Sequence, residues 1–136
     1  MARGMLGKDS GVHIRYNRSF ALQNADLIIL AGAACDFRLN YGKSLSRKAK
    51  TVIINRSPKN LNLNSDIFWK PHTKIKSDVY YFLHTLTKKI RHSAAQSAEP
   101  TLCTSHSEWL STLRTMQVKT ELASEEKSKH IVYDKL

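Results

Sequence analysis

Ala25-Asp26-Leu27-Ile28-Ile29-Leu30-Ala31-Gly32 is the stretch whose reading decides the fold. Leu27 to Ala31 carries no polar side chain, so both faces of a strand built from it are apolar. A central strand of a parallel sheet covered by helices needs that pattern, because neither face meets water. Gly32 ends the run. Upstream, Asn17 to Asn24 places Phe20, Ala21 and Leu22 among polar residues and predicts a short helix that turns directly into the strand. Downstream, a polar stretch with Tyr41, Gly42, Leu45 and Ala49 leads to a second apolar run, Thr51-Val52-Ile53-Ile54. Asn55-Arg56-Ser57-Pro58 breaks that run and reads as its exit loop.

Further out, Asp66-Ile67-Phe68-Trp69-Lys70-Pro71 is short and aromatic and predicts a third strand near an edge, since Pro71 cannot donate to a ladder. Ser77-Asp78 offers an N-cap to a helix in which Val79, Phe82, Leu83, Leu86 and Ile90 recur at three- and four-residue steps. From His92 to His106 the composition shifts to Ser, Ala, Thr, Gln and Pro, a polar linker. Ser107-Glu108-Trp109 then opens a last helix with Trp109, Leu110, Leu113 and Met116 on one face, continuing to about His130. Helices set between strands define an α/β chain with right-handed parallel connections. The expected divisions are residues 1–91 for the sheet, 92–106 for the linker and 107–136 for the C-terminal helix.

The chain has 136 residues, 41% hydrophobic and 24% charged, which suits one modest globular domain. Its longest apolar run, Leu27 to Ala34 with Gly32 inside, is far short of the ~20 residues that span a bilayer. No transmembrane segment and no signal peptide are expected. The net charge of +11 is uneven. Residues 1–92 hold 17 Lys/Arg against 5 Asp/Glu, and residues 93–136 hold 5 against 6. The cations are scattered rather than gathered into a dense tract, so the basic part is either a solvated face or a surface for phosphates, and no nucleic-acid partner is expected. Cys35 and Cys103 stand alone without metal-ligand spacing, as reduced thiols. Asn17-Arg18-Ser19 and Asn55-Arg56-Ser57 match the glycosylation acceptor tripeptide, a pattern that also arises by chance.

A series of separated blocks carries a family likeness: Ala2-Arg3-Gly4-Met5-Leu6-Gly7, His13-Ile14-Arg15, Asn17-Arg18-Ser19, Ala25 to Gly32, Cys35-Asp36-Phe37-Arg38-Leu39, Tyr41-Gly42 and Leu63-Asn64-Ser65-Asp66-Ile67-Phe68-Trp69-Lys70-Pro71. In order and spacing they resemble the central, Rossmann-like domain of thiamine-diphosphate-dependent enzymes of the acetolactate-synthase-like type, including the animal 2-hydroxyacyl-CoA lyase branch. The resemblance spans about residues 2 to 91, and Trp109-Leu110 with Leu113-Arg114 is similar to the linker toward that family's last domain. It implies a three-domain lyase or carboligase that depends on thiamine diphosphate and Mg2+. The cofactor serves as electron sink while a carbon–carbon bond beside a carbonyl is cleaved or formed.

The same resemblance implies that this chain corresponds to an incomplete central domain. Gly-Asp-Gly followed about thirty residues on by paired asparagines, the family pattern for metal and diphosphate, does not occur in the sequence. Neither thiamine diphosphate nor Mg2+ is therefore expected to bind this chain alone, and no catalytic residue and no metal ligand is assigned. The family's central domain has a further strand and helix before the matched segment, so an unpaired sheet edge and a partly bare apolar face are expected. Such an edge favours homo-oligomers or pairing with a full-length relative. Localisation at the endoplasmic reticulum membrane follows for the full-length relative, and a cytoplasmic place for the chain as it stands.

One candidate site emerges, the crevice at the carboxyl ends of the first two strands. Gly32 and Ala33 follow the first strand, where relatives that bind FAD or ADP bring backbone close to the ligand. A plain strand-ending turn is the other reading of Gly32. Asn55 stands at the exit of the second strand, where those relatives often place an aspartate against ribose hydroxyls. Its amide can hydrogen-bond a hydroxyl without a carboxylate's charge. Arg56, beside it, and Arg38 suit either a phosphate or open solvent. Asp36 reads as the cap of the following turn, and His84 as a partly buried helix histidine with no partner at catalytic spacing.

Overall fold

The computed structural model describes residues 10, 13, 14, 16–65, 68–96 and 104–133, with side chains of the last helix described over 107–126. The elements are α1 (Arg18–Asn24), β1 (Leu27–Ala31), a 3-10 segment (Phe37–Gly42), β2 (Lys50–Asn55), α2 (Pro58–Asn62), β3 (Thr73–Lys76), α3 (Val79–Gln96) and α4 (Thr104–Tyr133). They divide into two compact units, residues 22–101 and residues 1–21 with 102–136.

The first unit is an α/β sheet with flanking helices. Its three strands lie in the order β1-β2-β3, all parallel. Ile28 pairs with Thr51 and Leu30 with Ile53, and Ile54 lies between Ala31 and Ile75. Alternate side chains point to opposite faces. Ile28, Leu30 and Ile53 share a face and form the core with Cys35, Leu39, Leu45, Ala49 and Leu61, sealed by Leu22, Ala25 and Trp69. Much of that core comes from the connection between β1 and β2, which is mostly irregular. Ile54 points the other way and is fully buried, and α3 packs against β2.

β2, not β1, is the middle strand of the three. β1 buries Ile28 and Leu30, while Leu27 and Ile29 on its other face remain 51% and 42% exposed. The run is apolar on both sides, as a doubly covered strand requires, yet only one side is covered among the described residues. The third strand also differs from expectation. Asp66 and Ile67 lie outside the described residues, and Phe68 to Pro71 is irregular. Its place is taken by Thr73-Lys74-Ile75-Lys76. Trp69 closes the core and Pro71 is buried while Phe68 is exposed, and β3 is, among the described residues, an edge strand whose lysines blunt it.

α3 begins where the sequence signals it. The Asp78 carboxylate accepts from the backbone N–H groups of Tyr80 at 2.8 Å and Tyr81 at 3.3 Å. The helix runs through Gln96. Val79, Phe82 and Leu86 are half-buried, and Leu83 and Ile90 of the same apolar stripe are exposed. In the second unit α4 buries Leu113, and Trp109 stacks on Phe20 with centroids 6.2 Å apart. Asn17, at φ 56°, donates to the Met116 carbonyl and to Thr120 Oγ1 at 3.1 and 2.8 Å. α4 starts at Thr104, inside the stretch expected as linker, and residues 97–103 between the two long helices lie outside the described residues.

Candidate functional site

Parallel pairing places the exits of β1 and β2 side by side, and α3 starts at the same end. Gly32 adopts φ 69°, a conformation open to glycine at little cost, and its N–H donates to the Ile54 carbonyl at 2.9 Å. A Cβ on Gly32 would stand 3.3 Å from Val79 Cγ2, in the first turn of α3. Ala33 follows, exposed. Asn55 ends β2 at 7% exposure. Its Oδ1 accepts from the Ser57 N–H at 3.0 Å and its carbonyl from the Ser77 N–H at 3.3 Å. Arg56 reaches across to Asp78 in a 2.6 Å ion pair and remains 76% exposed.

Gly32, Asn55 and Arg56 thus meet around the start of α3, brought together from two strands and a helix. Asp78 completes the cluster, and sequence reasoning placed it only as a cap. Its second role, holding Arg56, is a contact over 22 residues that no local pattern encodes. Chemically the crevice is largely self-satisfied. The Gly32 N–H, Asn55 Oδ1 and the N–H groups of Tyr80 and Tyr81 are engaged within the fold, and the Asp78 carboxylate occupies the helix start where a phosphate would otherwise sit. The Asn55 amide nitrogen and the outer side of the Arg56 guanidinium are the groups placed to hold a hydroxyl or a phosphate oxygen.

The remaining sequence candidates take structural places. Asp36 accepts from the Arg38 N–H at 2.9 Å and caps the 3-10 segment, and Arg38 pairs with the same carboxylate at 2.9 Å while lying over the Phe37 ring. His84 is exposed and stacks on Tyr80, because its helix turn faces away from the sheet. The Cys35 thiol is fully buried, and its pKa is pushed up to about 11. Burial is the main cause and the neighbouring Asp36 charge adds to it. The Trp69 indole N–H faces the sulfur too loosely for a regular hydrogen bond and offsets part of the rise. This cysteine is a core residue, not a nucleophile. Among the described residues no three His, Cys, Asp or Glu side chains gather as metal ligands, and no helix is long and apolar enough to cross a membrane.

No family model matches the sequence. Among curated proteins, 2-hydroxyacyl-CoA lyase 2 of Bos taurus is 41% identical over 128 residues, covering 94% of this chain and 19% of its own length. The protein of that name from Homo sapiens is 50% identical over 91 residues, 67% of this chain and 14% of its own. That from Xenopus laevis is 60% identical over 79 residues, 58% and 12%. The chain spans about a fifth or less of the length of these relatives.

Proposed function

The chain is homologous to a segment of the 2-hydroxyacyl-CoA lyase 2 proteins, and from that premise we propose that it contributes the support side of a thiamine-diphosphate- and Mg2+-dependent lyase or carboligase. Residues 1–91 supply part of its central domain and residues 107–136 the way toward its last one. The observation that carries this reading is the state of the crevice: the Gly32 N–H, the Asn55 Oδ1 and the backbone donors at the start of α3 are spent on fastening β1, β2 and α3 to one another, which leaves few groups open to a cofactor. Such a region positions neighbours; it does not carry chemistry. Isothermal calorimetry of the chain with thiamine diphosphate and Mg2+ is expected to show no binding at micromolar concentration. Binding there would overturn the proposal.

A second reading, a nucleotide-binding or regulatory module that pairs with a full-length relative, draws on the meeting of Gly32, Ala33, Asn55 and Arg56 at one end of the sheet. FAD or ADP would rest its ribose on the Asn55 amide and its phosphates near Arg56. Thermal stabilisation by FAD, ADP or CoA would favour this reading, and its absence with all three would dismiss it. In either case we infer association through β1, as a homo-oligomer or with a full-length relative, because Leu27 and Ile29 present an uncovered apolar strip. Following the resemblance, we place the full-length relative at the endoplasmic reticulum membrane.

A further inference from the structure

A hollow of the sheet unit lies at the other end of the strands. It measures about 470 Å³ and opens where β2 and β3 begin, between the segment before β2 and the segment from Phe68 to His72. That volume falls within the ~300–1,000 Å³ of small-molecule sites. Its floor and walls are apolar and aromatic, with Phe68 and Trp69 among them, and its polar lining is Ser46, Arg47, Thr51, Lys70 and His72. None of the ten lining residues is acidic.

Three features give the hollow a defined chemistry. Arg47 and Lys70 have no hydrogen-bond or ion-pair partner among the described residues, in contrast to Arg38 and Arg56, which carboxylates hold. His72 is pinned to β2 twice. Its N–H donates to the Thr51 carbonyl at 2.8 Å, and its Nδ1 accepts from the Thr51 N–H at 3.1 Å. A ring nitrogen that accepts a backbone proton leaves the hydrogen of neutral imidazole on Nε2, so His72 keeps one fixed donor to offer. Lys43 lies over the outer face of Phe68 with Nζ 4.4 Å from the ring centroid, adding a third cation beside the aromatic wall.

We propose that this hollow binds a small aromatic phosphate, with the ring against Trp69 and Phe68 and the phosphate held by Arg47, Lys70, the Nε2–H of His72 and the Ser46 hydroxyl. Two cations and two neutral donors suit a dianion with three terminal oxygens better than a carboxylate with two. The site is separate from the crevice at Gly32 and Asn55. It stands at the opposite ends of the same strands and uses none of the same side chains. It does not depend on the role proposed above for the chain.

The test is a titration of the 15N-labelled full chain with phenyl phosphate, followed through the Trp69 indole N–H and the Thr51 amide, which His72 ties to the site. Saturable shifts of both are expected. Inorganic phosphate, lacking the ring, and phenol, lacking the charge, should each bind at least about tenfold more weakly, the loss of one charge-assisted interaction or its apolar equivalent. Arg47→Glu and Lys70→Glu should each raise the dissociation constant about tenfold or more. Both positions are exposed, so the fold tolerates the change, and Arg47→Gln and Lys70→Gln should give smaller losses in the same direction. No saturable shift with phenyl phosphate, equal binding of phenol, or affinity unchanged in both charge reversals would overturn the assignment.

Discussion

Gly42→Ala probes a close approach between the 3-10 segment and Trp69. Gly42 is buried at the end of the 3-10 segment with φ 95°, beyond the range an L side chain takes at low cost. A Cβ there would stand 2.7 Å from Trp69 Cγ and 3.0 Å from Trp69 Cβ, closer than carbon atoms approach without displacement. Two costs add. Forcing alanine into a left-handed conformation costs ~1–2 kcal/mol, and overfilling a packed core ~1–3 kcal/mol. The expected loss is about 3 kcal/mol, a large part of the ~5–15 kcal/mol that keeps a domain folded. Urea unfolding followed by tryptophan emission measures it as a lower midpoint at unchanged slope. Adding Trp69→Leu separates the two costs, because the smaller side chain relieves the overlap but leaves the backbone strain. The double variant should therefore lose less than the sum of the single variants. A loss below ~0.5 kcal/mol in Gly42→Ala, the scale of an ordinary surface change, would refute the close approach of Trp69 to this turn.

Three further outcomes follow from the same geometry. Cys35 should resist thiol reagents at neutral pH until the chain unfolds. Its pKa rises from 9.0 to about 11 on folding, so stability should fall as pH climbs from about 9 and stop falling above about 11, the window in which only the unfolded thiol has lost its proton. Urea midpoints across that range, compared with Cys35→Ala, check the sign. Asp78→Ala should cost ~1 kcal/mol through the lost α3 cap, whereas Arg56→Ala should cost little, because an ion pair whose arginine is 76% exposed is screened by water. Equal losses in the two variants would contradict the capping role. Leu27→Lys with Ile29→Lys places charges on the open face of β1 and should abolish self-association in sedimentation velocity; a parent chain that is already monomeric would refute association through this strand.

The parts of the fold that the sequence made legible are those whose signal is local. Leu27–Ala31 and Lys50–Asn55 stand out as apolar runs, and Asp78 before a 3.6-residue stripe marks α3. β3 was hidden because Lys74 and Lys76 flank a single half-buried isoleucine, while the louder signal at Phe68 and Trp69 belongs to an irregular segment in which Trp69 packs against the core and Phe68 is exposed. α2 escaped attention although Pro58 occupies the first turn, the helix position that proline favours, because five residues are too few to show a period. The 3-10 segment is equally opaque, since Asn40 and Tyr41 take left-handed conformations that no sequence pattern announces. At the crevice, Gly32 and Asn55 could be found from their places at strand exits. The link from Arg56 to Asp78, and the pairing of His72 with Thr51, depend on tertiary contacts and could not.

The two ends of the sheet show what a close reading of hydrogen bonds adds to a reading of charge. Both ends carry arginine beside a strand terminus, but only the exits set acidic side chains against it. At the exits of β1 and β2 each cation has met a carboxylate and the nearby backbone donors are closed among themselves, so that end spends its polarity on rigidity. At the entrances of β2 and β3 the imidazole is fixed by Thr51 and Trp69 packs against the core, but Arg47 and Lys70 have no partner among the described residues. A preorganised donor set with uncommitted charge is what binding requires, whereas a donor set already satisfied must be broken before it can bind. A ligand entering the crevice at Asn55 would find the side-chain oxygen already taken by Ser57 and would have to compete with Asp78 for Arg56. One entering beside His72 need break no ion pair of Arg47 or Lys70 among the described residues. On the physics of the residues present, the entrances of the strands are therefore the end at which this chain is prepared to bind.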